Sequence, residues 1–487
     1  MMSTLIVKEL KNILLSPKFT ATFAVCSLLM LLSVFVGIRE YQSAVRQYEA
    51  ANELVRQEMR EARQWMAVNN RVYREPDPLQ IFVAGVQNDI GRYSGISSWQ
   101  PVKLVHSAYS DDPIFAVFRF IDFAFIVQVV LSLFAILFTY DAINGEREQG
   151  TLQLVFSNAV PRARYVAAKF IGLWSGLMIP LALPILLSVL LLFVFKIPMM
   201  TGHWLRLATL IGSSILLFTF FLAFGILISA ATKRSNVSFL ISLVSWVGLV
   251  LIVPRVGVML AGQMVRVPTV AEVESQQDGF AKNRWDDHMK TMQTRWRLRE
   301  ESMQGLDQAA RKAKRDEMEW TWAEEDEKDR KQIQVNIDEN GRKLREEVRN
   351  KKLVQERLAF AISRISPVSA YQLAVMNLAE TDVNIKGRYE DALNTYRTSF
   401  NQFKEKKAKE SGNAGGLRIS FDSNTGIKVD AGREMALDLS DVSPFQAARA
   451  SFGEVLAGVV PDAGILGIFC LMAFAAAFLS FLRYDVR

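Results

Sequence analysis

The feature that most constrains this chain is a set of long runs without charge. Phe19–Ile38 contains no Asp, Glu, Lys, Arg or His. As a helix of about 20 residues such a run crosses the hydrocarbon layer of a bilayer. It is too long for the core of a cleavable leader, and no small-residue cleavage site follows it, so it reads as a retained span. Five more runs follow. They are Phe120–Tyr140, with Asp122 near one end; Phe170–Phe195, which holds Pro180 and Pro184; Leu207–Ala231; Val237–Gly262, with Pro254 and Arg255 late in it; and Val459–Leu482. Neighbouring helices in a membrane bundle can satisfy the carbonyls that an internal proline frees. The expected fold is an all-α membrane protein with six transmembrane helices.

Composition sets what surrounds the spans. The chain has 487 residues, 50% hydrophobic yet 22% charged. Six spans of about 20 residues use only a quarter of that length. The 57 basic against 50 acidic residues form a mild excess of the kind that cytoplasmic loops carry, and no motif accompanies it that would name a nucleic-acid partner. Cys26 and Cys470 sit inside apolar runs, so no disulfide and no zinc spacing is expected. His106, His203 and His288 lie far apart; only His203, beside Met199 and Met200, hints at a soft-metal site, and an interfacial loop is the plainer reading. No metal site is therefore assigned. There is no G-x-x-x-x-G-K-[ST] loop, no G-x-S-x-G elbow and no H-E-x-x-H, and the carboxylates of Glu324–Asp329 read as a solvated helical face. No catalytic residue and no resident cofactor is assigned to this chain. Asp122, Arg255 and Asp462 are expected near outer span ends, within reach of the interface, which argues against a self-powered secondary transporter.

Basic residues set the orientation. Lys8, Lys11 and Lys18 precede the first span; Arg147, Arg162, Arg164 and Lys169 lie between the second and third; Lys233 and Arg234 lie between the fourth and fifth; Arg483 and Arg487 follow the sixth. With six spans all of these share one side, expected to be the cytoplasmic face of a bacterial inner membrane, with both termini inside. Two large segments, 39–119 and 263–456, then lie outside. From Arg39 to Asn69 a helix is expected to continue out of the first span, with Val45, Tyr48, Val55 and Met59 along one stripe; Gly85, Gly91 and Gly95 read as turns. Phe280–Ile365 reads as charged amphipathic helices, a helical hairpin or coiled coil, with breaks at Gly305 and at Asn340–Gly341. Gly387–Glu410 repeats Tyr389, Leu393, Tyr396, Phe400 and Phe403 at helical spacing, and 411–416 reads as a loop. Residues 417–429 are consistent with a small β-hairpin or with a linker.

The inner segments are the most specific. In 1–18, Leu5, Ile6, Leu10, Ile13 and Leu14 share one helical face, with Lys8, Glu9, Lys11 and Asn12 mostly on the other, as in an amphipathic helix lying in the interface. In 141–169, Gly145 and Gly150 bracket Glu146-Arg147-Glu148, and Thr151 opens a short apolar stretch that ends before Pro161.

With these pieces in this order, the chain resembles the permease subunits of the ABC-2 family of ATP-binding-cassette transporters. The resemblance rests on G-E-R-E-Q-G-T-L at Gly145–Leu152, on V-P-R-A-R-Y-V-A-A-K at Val160–Lys169, on F-L-R-Y-D-V-R at Phe481–Arg487 and on the amphipathic N-terminal helix. The run Ile365–Asp382 resembles a subgroup with a large extracytoplasmic insertion before the last span. What the resemblance implies is a division of labour. A separate ATP-binding subunit, two copies per complex, would hold ATP and Mg. Gly145, Glu146, Arg147, Glu148, Gly150, Thr151 and Leu152 would form the segment that docks with it, and Lys8, Glu9 and Lys11 would mark a second contact. The permease would work as a homodimer or with a related permease, surrounded by membrane lipid. Two readings stay open: an ATP-driven exporter, and a non-transporting coupler that relays ATPase motion to a periplasmic or envelope partner. A membrane-anchored scaffold without an ATPase is a third.

Overall fold

A computed structural model describes residues 2–65, 68–87, 93–96, 122–158, 160–411, 417–422, 426–431, 437, 439, 441–447 and 450–483. Phe120, His106, Gly91, the loop 412–416 and the last four residues of the Phe481–Arg487 run lie outside this set. Among the described residues, six helices are long and apolar enough to cross a membrane: Pro17–Glu61, Phe123–Glu148, Arg162–Val194, Thr201–Ala231, Ser235–Met264 and Phe452–Leu482. They are numbered here as spans one to six. With the two small sheets described below, the chain is an all-α membrane protein. It divides into two bodies, Met1–Ile252 with Arg364–Arg487, and Val253–Ser363. The division follows a π-helical turn, Gly248–Ile252, inside span five.

In the first body, spans two and four are central. Their apolar windows are 61% buried, against 22–28% for the other four. They cross closely because Gly225 lacks a side chain: a Cβ there would come within 1.8 Å of Thr139 Oγ1. Span two carries its own π-helical turn, Ile126–Leu131, and Trp246 of span five donates its indole N–H to Ser132 Oγ at 2.8 Å. Span three remains helical through Pro180 and Pro184. Span one starts on a Ser16 cap whose Oγ accepts from Phe19 N at 3.1 Å, with Pro17 in the first turn, where its missing N–H costs nothing. Its 45 residues make a rod of about 68 Å. The rod ends at Glu61 rather than near Asn69, because the chain beyond it turns to bury Trp65 and Val68 in an outer core.

That second core takes up the later half of one stripe read from sequence, Val55 and Met59, while Val45 packs on the main core, and it takes up the stripe that begins at Tyr389. Val55 and Met59 of the rod meet Tyr389, Leu393 and Phe400 of the helix Asn384–Ser411. Strand β1, Asn70–Tyr73, pairs antiparallel with β2, Tyr93–Ile96, with Gly95 opposite Arg71, so Gly95 belongs to a strand and not to a turn. Tyr396 accepts from Asn70 Nδ2 at 2.8 Å, and Tyr389 donates to Tyr73 O at 3.1 Å. Lys404 is buried here, with Nζ 3.1 Å from Val68 O, and burial holds its ammonium below the usual lysine range. Strands β3, Leu417–Asp422, and β4, Gly426–Ala431, pair antiparallel as a hairpin.

Ion pairs correct one expectation. Asp462 does not reach the interface: it is 3% exposed and accepts from Arg364 Nε at 2.5 Å and Nη2 at 3.1 Å. Asp122 caps span two through Phe125 N at 2.7 Å and accepts from Ala84 N at 3.0 Å. Buried Arg206 of span four pairs with Glu380 at 3.3 Å and donates to Ala450 O at 2.7 Å. Nearby, burial raises the Asp77 carboxyl above its usual range. His203 uses Nδ1 to accept from Met200 N at 3.1 Å, and its Nε2 faces Asp77 at 3.6 Å. Arg255, in the second body, is exposed. The run beginning at Ile365 forms a buried helix, Pro367–Leu378, packed on spans four and six, with Tyr371 fully buried and its hydroxyl 2.9 Å from Ser214 Oγ.

The second body is a helical hairpin. Val270–Glu301 begins with a reciprocal cap: Thr269 Oγ1 accepts from Glu272 N, and Glu272 returns a bond to Thr269 N at 2.9 Å. The turn comes at Gly305, whose φ of +89° only glycine adopts freely. The return helix, Gln308–Ser363, has 56 residues and is about 84 Å long. It runs through Asn340–Gly341 without a break, because one glycine costs roughly 1 kcal/mol and helix formers flank it on both sides. Arg295 pairs with Asp326 at 3.3 Å and also with Asp329, and Arg299 lies 4.9 Å over the Trp322 ring. These contacts set the register of the two arms.

Candidate coupling site

The last turn of span two and the segment after it build a charged knot. Asn144–Glu148 is one short helical turn; Gly150 then takes φ +72°, a conformation that favours glycine, and Thr151–Ser157 starts a second helix in a new direction. A Cβ on Gly150 would meet nothing within 4 Å, so the backbone angle alone explains the glycine. Thr151 Oγ1 donates to Glu146 O at 3.1 Å and ties the two helices together. Leu152 is 1% exposed and joins the main core.

Glu146 points inward. Its Oε1 accepts from Lys8 Nζ at 3.0 Å and from Lys169 Nζ at 3.1 Å, and its Oε2 accepts from the Tyr165 hydroxyl. Lys169 also donates to Glu9 at 2.9 Å. Lys169 and Glu9 are 6% and 7% exposed. A single buried ammonium would cost several kcal/mol; here two lysines and two glutamates interlock, and their charges cancel.

The knot needs the N-terminal helix, Met2–Leu14, to lie directly on span three. Two glycines permit this. A Cβ on Gly172 would come within 2.7 Å of Glu9 Cβ, and one on Gly176 within 2.9 Å of Ile13 Cδ1. Small residues four apart let helix backbones approach closely. Glu9 is therefore on the buried face, which corrects its assignment to the polar side. Ile13 is also buried, while Lys11, Leu14 and Leu15 are exposed and Lys8 is half-buried.

The same segment touches the neighbouring span ends. Glu148 is exposed, but it accepts from Ser235 N and Oγ, both at 2.9 Å, and so caps span five. Asn144 Nδ2 donates to Thr232 Oγ1 at 2.8 Å, and Ile143 N to Ser229 Oγ at 3.0 Å, at the end of span four. Phe156 and Tyr165 pack with Phe481 of span six, Tyr165 stacking on it at 5.2 Å between ring centres. Arg162 donates to Leu482 O at 2.5 Å.

Of the residues singled out from sequence, Glu146, Glu148, Thr151, Leu152, Lys8 and Glu9 make internal contacts. Arg147 is half-buried, Gly150 shapes the turn, and Gly145 sits inside the short helix, where nothing in the structure requires a glycine. The outward face of the second short helix is instead Gln153, Leu154, Ser157 and Asn158, with Leu154 66% exposed. In sequence Lys169 is a basic flank and, with Tyr165, part of the family-like run Val160–Lys169, and neither these two nor Gly172, Gly176 and Ser235 is marked there as a partner of Glu9, Glu146 or Glu148. The spacing Tyr165, Lys169, Gly172, Gly176 follows steps of four, three and four along one helical face, and that was the available signal.

Comparison with known proteins gives one family match. The family described as ABC-2 family transporter protein matches residues 3–486. No curated protein matches.

Proposed function

The chain belongs to the ABC-2 family of transporter proteins, and we propose that it is the permease through which a separate ATPase drives export across the bacterial inner membrane. In this reading two ATP-binding subunits hold ATP and Mg, and this chain, paired with itself or with a related permease, converts their closure into movement of the spans. Both termini and the knot face the cytoplasm. One observation carries the reading: the last turn of span two and the short helix after it are bonded at once to the N-terminal helix and to the ends of spans three, four and five, and pack on span six through Phe156. A push on that exposed short helix therefore reaches most of the bundle. Leu154 is the apolar centre of that surface, so Leu154→Arg is expected to abolish co-purification of the ATPase while leaving the melting temperature within about 1 °C, as for surface changes. Unchanged association and turnover would refute docking at this face.

The second body favours a further reading, a coupler acting on a periplasmic partner. Arms of 32 and 56 residues exceed what a loop between spans requires. Removing 296–325 and joining the arms by a short turn cuts them where Arg295 faces Asp326. The coupler reading expects ATPase turnover to persist and the cellular function to be lost; full function would exclude it.

A further inference from the structure

The outer half of span one and the segment around the first sheet enclose a cavity of about 610 Å³, within the roughly 300–1,000 Å³ of small-molecule sites. Its walls are of two kinds. Phe35 and Val36, on the last turn of the charge-free run, form an apolar wall and are 37% and 45% exposed. Tyr48, Tyr73 and Arg74 form a polar wall. Arg39 stands at the boundary between them, one residue past the end of the charge-free run. Its guanidinium carbon lies 5.4 Å from the Phe35 ring centre and 5.7 Å from that of Phe195. Ring contacts engage the flat face of a guanidinium, whose donors lie in its plane and suit a phosphate or carboxylate. Arg74 is anchored by a 2.8 Å bond from Nη2 to Gln87 O, and the two arginines outnumber Glu40 among the described lining residues.

A bilayer positioned on span one places Phe35 and Val36 among acyl chains and Arg39 at headgroup depth. The cavity thus offers an apolar channel and a cationic ring in the order in which a membrane amphiphile presents its parts. We propose that this cavity binds a phospholipid with an anionic headgroup, the chain lying along Phe35 and Val36 and the headgroup on Arg39. The proposal is independent of the direction of transport and of the ATPase.

The test is native mass spectrometry of the full chain in detergent, titrated with dioleoylphosphatidylglycerol. One lipid is expected to be retained, in preference to dioleoylphosphatidylcholine. Arg39→Gln removes a charge-assisted contact and is expected to weaken retention about tenfold or more. Ala44→Trp, which fills the cavity from the helix side, is expected to abolish retention. Arg46→Gln, a change at an exposed residue whose Nε bonds Gln42 O on the same rod, is expected to leave retention unchanged. Equal retention of the zwitterionic lipid, equal binding of glycerol phosphate alone, or unaltered retention in both cavity variants would each overturn the proposal.

Discussion

Lys169→Met tests whether the knot holds the N-terminal helix, span two and span three together. The wild-type ammonium bonds Glu9 at 2.9 Å and Glu146 at 3.1 Å, so the two carboxylate oxygens lie within about 6 Å of each other. Without the lysine they repel by about 3 kcal/mol at an effective dielectric constant near 20, and each loses a charge-assisted bond. Lys8 still neutralises Glu146, but Glu9 keeps no cation among its described ion pairs. Breaking one partner out of a buried pair typically costs 3–5 kcal/mol, and that is the expected loss for Lys169→Met. Adding Glu9→Gln restores charge balance and is expected to recover at least about 1.5 kcal/mol, a coupling typical of residues in contact. The assay is a denaturation series on purified protein, read by tryptophan fluorescence, with ATPase turnover measured in parallel. A loss under about 1 kcal/mol for the single variant, or no recovery in the double variant, would refute the argument.

The remaining predictions concern packing and the outer ion pair. Gly172→Leu cannot coexist with Glu9 in its observed place, so the N-terminal helix is expected to lift from span three; a cysteine placed at Ile13, now buried, would become reactive to a water-soluble maleimide, and continued protection would count against the contact. Arg364→Leu leaves Asp462 buried without its partner. A drop of about 3–5 kcal/mol is expected, with Arg364→Leu plus Asp462→Asn largely restoring stability; equal stability of all three proteins would remove the pair from the account.

The spans were legible because a charge-free run long enough to cross a bilayer has few alternatives; the Gly305 turn was half legible, as one of two breaks in a run of helix formers, of which Asn340–Gly341 is continuous helix. The Tyr389–Phe400 stripe was legible for the same reason: its period is local. What escaped the sequence was long-range. Glu9 reads as the polar side of an amphipathic helix until Lys169, 160 positions away, is brought to it by two glycines. Asp462 reads as an interfacial acid until Arg364 arrives beside it. The first sheet escaped because four-residue strands carry almost no periodic signal, and the register that defines them joins residues some 20 positions apart. Charges that pair across the fold look in sequence like charges that face water, and only tertiary contact separates the two.

The inward turn of Glu146 changes what the run Glu146-Arg147-Glu148 can do in the proposed mechanism. A carboxylate on the surface could set the register of a docked ATPase but could not carry force into the bundle. Bonded to Lys8, Lys169 and Tyr165, Glu146 links the turn Asn144–Glu148 to the N-terminal helix and to span three through short, charge-assisted contacts. Glu148, two residues on, does the same for span five through the backbone at Ser235. Opposite faces of one helical turn thus hold different spans, and Thr151 locks that turn to the helix that carries Leu154. Force entering at Leu154 has no flexible joint to cross before it reaches the spans, apart from the turn at Gly150, which that hydroxyl bond braces. Loss of the Thr151 hydroxyl alone, in Thr151→Val, should therefore leave the ATPase bound but lower the transport achieved per ATP hydrolysed; an unchanged ratio would show that force enters the bundle by another route.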